Sequence, residues 1–291
     1  MSSEKFFTTK KALITLIAAS LVVIVSLGIR QTFGLFFFDF NADLNISISH
    51  FGFVIGLQLL MWGVFSPIFG FITDKYGGAT AIFIGFLFYL AGLFMFYSGL
   101  NTGYLFTLTI GLLIGIGLGG TAISIPVSVV AKHFPSSNRT IATGIVTCAG
   151  SFGFFVSPLL VRYSLIEIGW EITILYFCFL LGIGLITALF ISTPKTPVGT
   201  NDNNNQTATE ALKEALSNKS FIFLTLGFFV CGWHIALVAT HIPTYMSDRG
   251  LPDWTPAMVL ALIGVFNMAG TITSGYLATR YSKKYILSSI Y

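Results

Sequence analysis

The sequence predicts an all-α integral membrane protein: eight complete transmembrane helices and the start of a ninth. Three observations carry this. Only 9% of the 291 residues are charged and 55% are hydrophobic, at a mean hydropathy of +0.85. An ordinary soluble domain is about 25% charged. Apolar stretches near 12–38, 51–72, 79–99, 103–131, 140–162, 170–192, 220–246 and 256–278 each meet the ~20 residues needed to cross a bilayer core. The charges sit mainly in the short connections, and their sign is asymmetric across the alternating spans.

Residues 1–10 form a short polar start. The first span shows no small-residue cleavage site and runs past signal-peptide length, so it is read as a retained helix. From Leu13 to Phe38 its one charge is Arg30. At ~1.5 Å per residue, Arg30 lies roughly 12 Å below the Phe38 end. A lone cation at that depth costs at least about 2.5–3.5 kcal/mol. It therefore needs a protein interior, a water-filled cavity or an anionic ligand.

Span two carries Gln58 and Trp62, four residues apart, and ends in Gly70, Asp74, Lys75, Gly77 and Gly78. Span four is glycine-rich (Gly111, Gly115, Gly117, Gly119, Gly120), as is span five (Gly144, Gly150, Gly153); Pro126 and Pro158 interrupt them. Small residues allow close helix contact and proline loosens the hydrogen-bond ladder. A nucleotide-site reading of span four fails, because no strand precedes it. Span seven carries Trp233, His234 and His241, and span eight Asn267. Cys148, Cys178 and Cys231 fall in apolar runs without metal-ligand spacing and read as packing residues.

With the N-terminus inside, the inner side holds Lys5, Lys10, Lys11, Lys75, Lys132, Arg139, Lys195, Lys213, Lys219, Arg280, Lys283 and Lys284; the outer side holds Arg162 and Arg249. This places the N-terminus in the cytoplasm. The connection 193–219 is rich in Pro, Asn and Gly, with an amphipathic 209–216 segment, and reads as a cytoplasmic linker. The expected organisation is a six-helix bundle over 1–192, the linker 193–219 and an incomplete second bundle over 220–291.

The two parts repeat weakly. The end of span two (Gly70 to Tyr76) matches the end of span eight (Gly275 to Tyr281) at an offset of 205, and Gly28, Ile29, Arg30 match Gly232, Trp233, His234 at 204. Internal repetition about a central interface marks secondary transporters, with the substrate near the midplane.

The 70–78 stretch and its degenerate copy after span eight resemble the loop motif of the major facilitator superfamily. More narrowly, the chain resembles the bacterial monocarboxylate transporter-like branch. The stretches that carry this are Gly28-Ile-Arg-Gln-Thr-Phe-Gly34, Gln58 to Gly63, His133-Phe134 through Arg139, Ala142 and Gly144, and Thr225 to His234 running on to Tyr245. The resemblance implies twelve helices, so the chain is expected to be C-terminally truncated. It also implies rocker-switch alternating access, a gating role for Gly70, Asp74, Lys75 and Gly77, and a bacterial inner membrane location. Two departures stand out. Gly78 and Ala79 occupy positions where the motif usually carries basic residues. The 266–270 region lacks the acid–base pair that the animal carriers place on span eight.

Arg30 is the sharpest candidate substrate group: a guanidinium fork suits a carboxylate, and Gln31 would add neutral hydrogen bonds. The alternative is a snorkelling arginine. His234, at the repeat-equivalent position, could bind an anion or take up a coupling proton, or be a hydrogen-bonded core histidine. Trp62, Gln58 and Asn267 could line the cavity or serve as interhelical packing. Arg139 is a possible partner for Asp74, which could otherwise be a simple helix-end charge.

No paired carboxylates, HExxH, Walker loop or Cys/His cluster occurs, which argues against an enzyme, a resident metal or a cofactor. Nucleic acid is not an expected partner; the lipid bilayer is. The expected function is secondary transport of a small organic anion, chiefly a monocarboxylate, because the span interiors hold Arg30 and His234 and no acid. Efflux of neutral amphipathic compounds is the alternative within transport. A non-transporting receptor or scaffold is the alternative outside it, and the short linker argues against it.

Overall fold

The computed structural model describes residues 10–99, 103–192, 208–278 and 280–290. Residues 1–9, most of the expected linker (193–207) and Tyr291 lie outside the described residues. The described chain is helical, without a strand. Eight helical stretches are long and apolar enough to cross a membrane: Lys10–Leu44, Ile48–Tyr76, Gly78–Tyr97, Gly103–His133, Asn138–Glu167, Gly169–Ala188, Lys219–Asp248 and Thr255–Leu277. Their helical form follows from the requirement that every backbone polar group in hydrocarbon be satisfied within the segment, and their length from the thickness of the bilayer core.

Span one is not one continuous helix. Helix α1 (Lys10–Gln31) gives way to a tight 3₁₀ turn at Phe33–Phe36 and then α2 (Phe37–Leu44). The change begins at Thr32, whose amide and hydroxyl both donate to Ile29 O, at 3.1 and 2.7 Å. Left-handed Asn45 (φ 54°) ends α2. The span therefore reaches six residues past the expected 38. Span two is α3 (Ile48–Tyr76), capped by Ser47, and Gly77 at φ 96° turns it into α4 (Gly78–Tyr97), span three. Such a φ strains any residue with a Cβ.

Span four is assembled from α5 (Gly103–Phe106), a π-helical segment Thr107–Leu113, α6 (Ile114–Thr121) and α7 (Ser124–His133). Its glycines face two neighbours. A Cβ on Gly111, Gly115 or Gly119, spaced by four, would come within 3.3 Å of Val54 O, 2.6 Å of Gln58 O and 2.9 Å of Phe65 Cβ, all on α3. On the other face, a Cβ on Gly117 or Gly120 would come within 2.7 Å of Gly85 O and 2.9 Å of Ala81 O, on α4. Helices α3, α6 and α4 thus lie backbone against backbone, the close contact that small residues permit. Span five, α8 (Ser136–Glu167), meets α1 in the same way: Gly153 faces Ile24 O, and Gly28 faces the Ser157 side chain. Helix α9 (Gly169–Ala188) is span six.

One end of these six spans is closed by aromatic rings. Phe40 stacks on Phe36 at 5.5 Å and meets Phe96, Phe106 and Trp170 edge-on at 5.2–5.8 Å. The Trp170 indole N–H donates to Asp43 at 2.6 Å. The other end carries Lys75, Lys132 and Arg139 and is called the basic end below.

A short helix α10 (Ala208–Ser217) precedes span seven, α11 (Lys219–Asp248), and span eight, α12 (Thr255–Leu277); α13 (Lys283–Ile290) follows. The buried residues of α11 are Ala239, Thr240, Pro243 and Thr244. Those of α12 are Pro256, Ala257, Leu260, Ala261 and Gly264. Both sets lie toward the aromatic end. There Gly34 of the 3₁₀ turn abuts Ala239 O, with Pro243 Cγ 3.2 Å from where a Cβ would stand, and Arg162 pairs with Asp253 at 3.4 Å. Gly264 abuts the Phe154–Phe155 backbone of α8. Toward the basic end, Phe223, Phe228, Phe266 and Ile272 are exposed. The half-buried stripe Met268, Thr271, Ser274 and Leu277 carries the packing of α12 on α8 toward the basic end, while α11 is mostly exposed before Ala239.

Gly117→Val should lower the thermal transition of the detergent-purified protein, by the about 1–3 kcal/mol typical of overpacking. Gly56→Ala, where a new Cβ meets nothing within 4 Å, should leave it unchanged.

Candidate functional site

The last residues of α1, Arg30 and Gln31, are 5% and 1% exposed. They are buried because α1 is enclosed by α8, α9 and the broken span four. Among the described residues, Arg30 is the one charged side chain in the buried interior; the others there are neutral Ser, Thr and Gln. No described acid pairs with it: the ion pairs found among the described residues are Lys132–Asp74 and Arg162–Asp253. Its Nε–H and the Gln31 Oε1 find no hydrogen-bond partner. A buried polar group without a partner costs about 1–3 kcal/mol, more when charged. This cluster is where the span interiors are least satisfied.

One turn below Arg30, Ser26 is tied on two sides. Its hydroxyl donates to Thr121 O at 2.9 Å, and its carbonyl accepts from the Tyr89 hydroxyl at 3.3 Å. Thr121 ends α6, and the extended Ala122 that follows breaks the span (ψ −159°). Span four thereby presents a carbonyl that an unbroken helix would have used internally. Tyr89 is fully buried. The sequence reading missed Ser26, Tyr89 and Thr121. The one available signal was a hydroxyl-bearing ring in the middle of an otherwise apolar span three.

Gln58 is fully buried on α3. It donates to Ile110 O at 2.9 Å across the π-helical segment, and its Oε1 is unpartnered. Trp62, one turn on, lines a cavity of about 960 Å³ between α3 and α11, together with Gly56, Phe229, Trp233, Thr240 and His241. Its wall is mostly apolar. His241 approaches Gly52, with its Cε1 3.2 Å from where a Cβ would stand. Arg30 and His234 are not among the lining residues. His234 lies on the exposed part of α11, and Asn267 is exposed on α12. The structure thus brings Trp62, Trp233 and His241 together around one cavity, and Arg30 and Gln31 together in another place.

At the basic end, Asp74 pairs with Lys132 at 2.7 Å, joining α3 to α7. The sequence reading named Arg139 as a possible partner; the observed partner is Lys132. Span four runs to His133 before breaking at Phe134 and Pro135, which leaves Lys132 over the end of α3. Arg139 is half-buried at the start of α8 with an unpartnered Nε. Lys75 lies over the Tyr76 ring at 5.1 Å, Gly77 makes the turn, and Gly70 has open space around it. His133, unassigned at first, donates from Nδ1 to Val129 O at 2.9 Å and meets Ser192 Oγ through Nε2 at 2.7 Å. Ser192 in turn meets Thr15 at 3.1 Å, so spans one, four and six are laced together here. The described residues contain no cluster of metal-ligating side chains.

Comparison with known proteins agrees with this architecture. The chain is similar to the agnestins efflux protein of Paecilomyces divaricatus, 24% identical over 284 residues that cover 96% of this chain and 63% of that protein. It is also similar to a probable nitrate transporter of Staphylococcus carnosus, 25% identical over 159 residues, covering 54% of this chain and 39% of the transporter. The chain thus spans under two thirds of the length of each of these relatives. Among solved structures, the nucleoside transporter NupG superposes with a TM-score of 0.68 at 16% identity, covering 94% of this chain and 69% of that one. The xylose transporter XylE from E. coli, in an inward open conformation, superposes with a TM-score of 0.64, also at 16% identity, over 93% and 69%. The family profile described as Major Facilitator Superfamily matches residues 19–291. With that match over nearly the whole chain, on eight apolar spans of the same fold, the protein belongs to the major facilitator superfamily.

Proposed function

We propose that this protein is a secondary active transporter of a small organic anion, chiefly a monocarboxylate, working by rocker-switch alternating access. One observation carries the reading: Arg30 is a buried guanidinium with an unpartnered Nε–H and no described acid beside it. An anion supplies the missing charge and the missing acceptor together. A guanidinium fork binds a planar carboxylate through parallel hydrogen bonds. The relatives named as nitrate transporters support the sign of the substrate, since nitrate is also a small planar oxyanion. Gln31, Gln58, Trp62, His234 and Asn267 remain proposed contributors, and a coupling proton a proposed partner.

Span eight packs along α8 of the first bundle, and the buried residues of span seven lie toward the aromatic end. The N-terminus and the basic end are placed in the cytoplasm of a bacterial inner membrane. The division into a first bundle over 1–192, a linker and a second bundle gives the two bodies that rock. In this reading the anion neutralises Arg30 and lowers the cost of closing the cytoplasmic side. The Asp74–Lys132 pair, with Gly70, Lys75, Gly77 and Arg139 around it, keeps spans two and four moving as one body.

A second reading, efflux of neutral amphipathic compounds, is favoured by the apolar wall of the cavity at Trp62, Phe229 and Trp233 and by the relative named an efflux protein. Inhibition by apolar compounds but not by carboxylates would select it.

In proteoliposome uptake assays, Arg30→Ala should lower carboxylate transport by about 10- to 100-fold, the loss of about 1.5–3 kcal/mol of charge-assisted hydrogen bonding. Transport equal to wild type removes Arg30 from the site. Asp74 and Lys132 have side chains 72% and 40% exposed, so Asp74→Asn should shift the thermal transition by no more than the roughly 0–1 kcal/mol of a surface pair. The same substitution should slow transport several-fold; an unchanged rate would reduce the pair to a topology signal.

A further inference from the structure

We propose that Tyr89 is a second hydrogen-bond donor of the anion site, held in reserve on Ser26 O until the anion arrives. The inference rests on the reading of Arg30 as the anion's cationic partner and extends it to a residue on another span.

The geometry is that of a donor placed to switch. Tyr89 is fully buried on α4, and its hydroxyl reaches across to α1. Ser26 and Arg30 are four residues apart, so they occupy the same face of α1 one turn apart. The phenol thus meets α1 one turn before Arg30, on the same face of the helix. Its bond to Ser26 O is 3.3 Å, well beyond the usual 2.7–2.8 Å of an O–H···O bond, and hence weak.

Ser26 O does not depend on Tyr89. As a residue inside α1, Ser26 also has its carbonyl in the helical ladder, where the Arg30 amide is its partner. Losing the phenol leaves no orphaned acceptor. A carboxylate or nitrate oxygen beside Arg30 would offer the phenol a charge-assisted bond, about twice as strong as a neutral one. Burial keeps water from competing for the same oxygen. The Ser26–Thr121 bond, at 2.9 Å, stays in place and holds the turn of α1 while the phenol moves.

The backbone keeps the ring in register. Gly117 of α6 lies close against Tyr89, its absent Cβ only 2.7 Å from Tyr89 N, so α4 cannot slide along α6 without a clash. Rotation of the O–H, and a small tilt of the ring, is all the switch needs.

The test measures binding of acetate and of nitrate to the detergent-purified protein, with the apparent KM and maximal rate for acetate in proteoliposomes. Tyr89→Phe removes one oxygen and should weaken affinity and raise KM about tenfold, with the maximal rate and the thermal transition retained. A folded Tyr89→Phe that binds both anions like wild type overturns the proposal. Arg30→Gln separates the two readings. If it abolishes binding while Tyr89→Phe does not, the Arg30 reading stands and the Tyr89 inference falls; if Arg30→Gln binds normally, the Arg30 reading itself fails. Should Tyr89→Phe not fold, wild-type protein labelled with 3-fluorotyrosine gives the answer. Tyr89 is the fully buried tyrosine among the described residues, and its signal resists both water-soluble and micelle-soluble spin labels. Acetate should move that resonance, and an unmoved resonance overturns the proposal.

Discussion

A guanidinium buried in the span interior, without a carboxylate, is the constraint around which the rest of this molecule makes sense. Arg30 keeps its charge at any ordinary pH, so the fold cannot neutralise it by proton loss. What surrounds it is neutral and polar: Gln31 beside it, Ser26 a turn below, and Tyr89 and the Thr121 carbonyl arriving from two other spans. These groups soften the cost of burial without cancelling the charge. The 3₁₀ turn that begins at Thr32 immediately after this pair adds a place where backbone bonds are already rearranged, a feature common at hinges.

The remainder of the first six spans is built for rigidity around that point. Glycine faces spaced by four let α3, α6 and α4 meet at backbone distance, and α1 meets α8 in the same manner. Such contacts leave no compressible side chains between helices, so a force on one span is carried to its neighbours. The aromatic rings around Phe40 and the Trp170–Asp43 bond close one end. The Asp74–Lys132 pair and the His133–Ser192–Thr15 chain tie the other. Span seven, by contrast, buries residues only toward the aromatic end, while span eight packs along α8.

Much of this was legible in the sequence, because hydropathy and length are nearly sufficient when the solvent is a bilayer. All eight spans and the close packing of the glycine-rich span four follow from residue type and spacing, whereas a buried and a snorkelling Arg30 were both open until the neighbouring spans were placed. Span one extends past the expected end because Thr32 and Gly34 do not announce a 3₁₀ turn, beyond which α2 continues to Leu44. Asp74 was matched with Arg139 when the observed partner is Lys132, since only the break at Phe134 decides which basic side chain overlies α3. His234 shares a repeat position with Arg30 but not its burial, because repetition fixes the fold of a helix and not its neighbours. Tyr89 was passed over because an apolar span hides a single hydroxyl, and its partner is a backbone carbonyl 63 residues away.

The central claim, that Arg30 waits for a negative charge, is tested most directly with isosteric ligands. The thermal transition of the purified protein is measured with acetate and with acetamide, which match in size and shape and differ in charge. The account predicts that acetate raises the transition with a saturable dependence, as a ligand bound to the folded state must, and that acetamide does not. Equal responses to both, or a rise with acetamide alone, would contradict it.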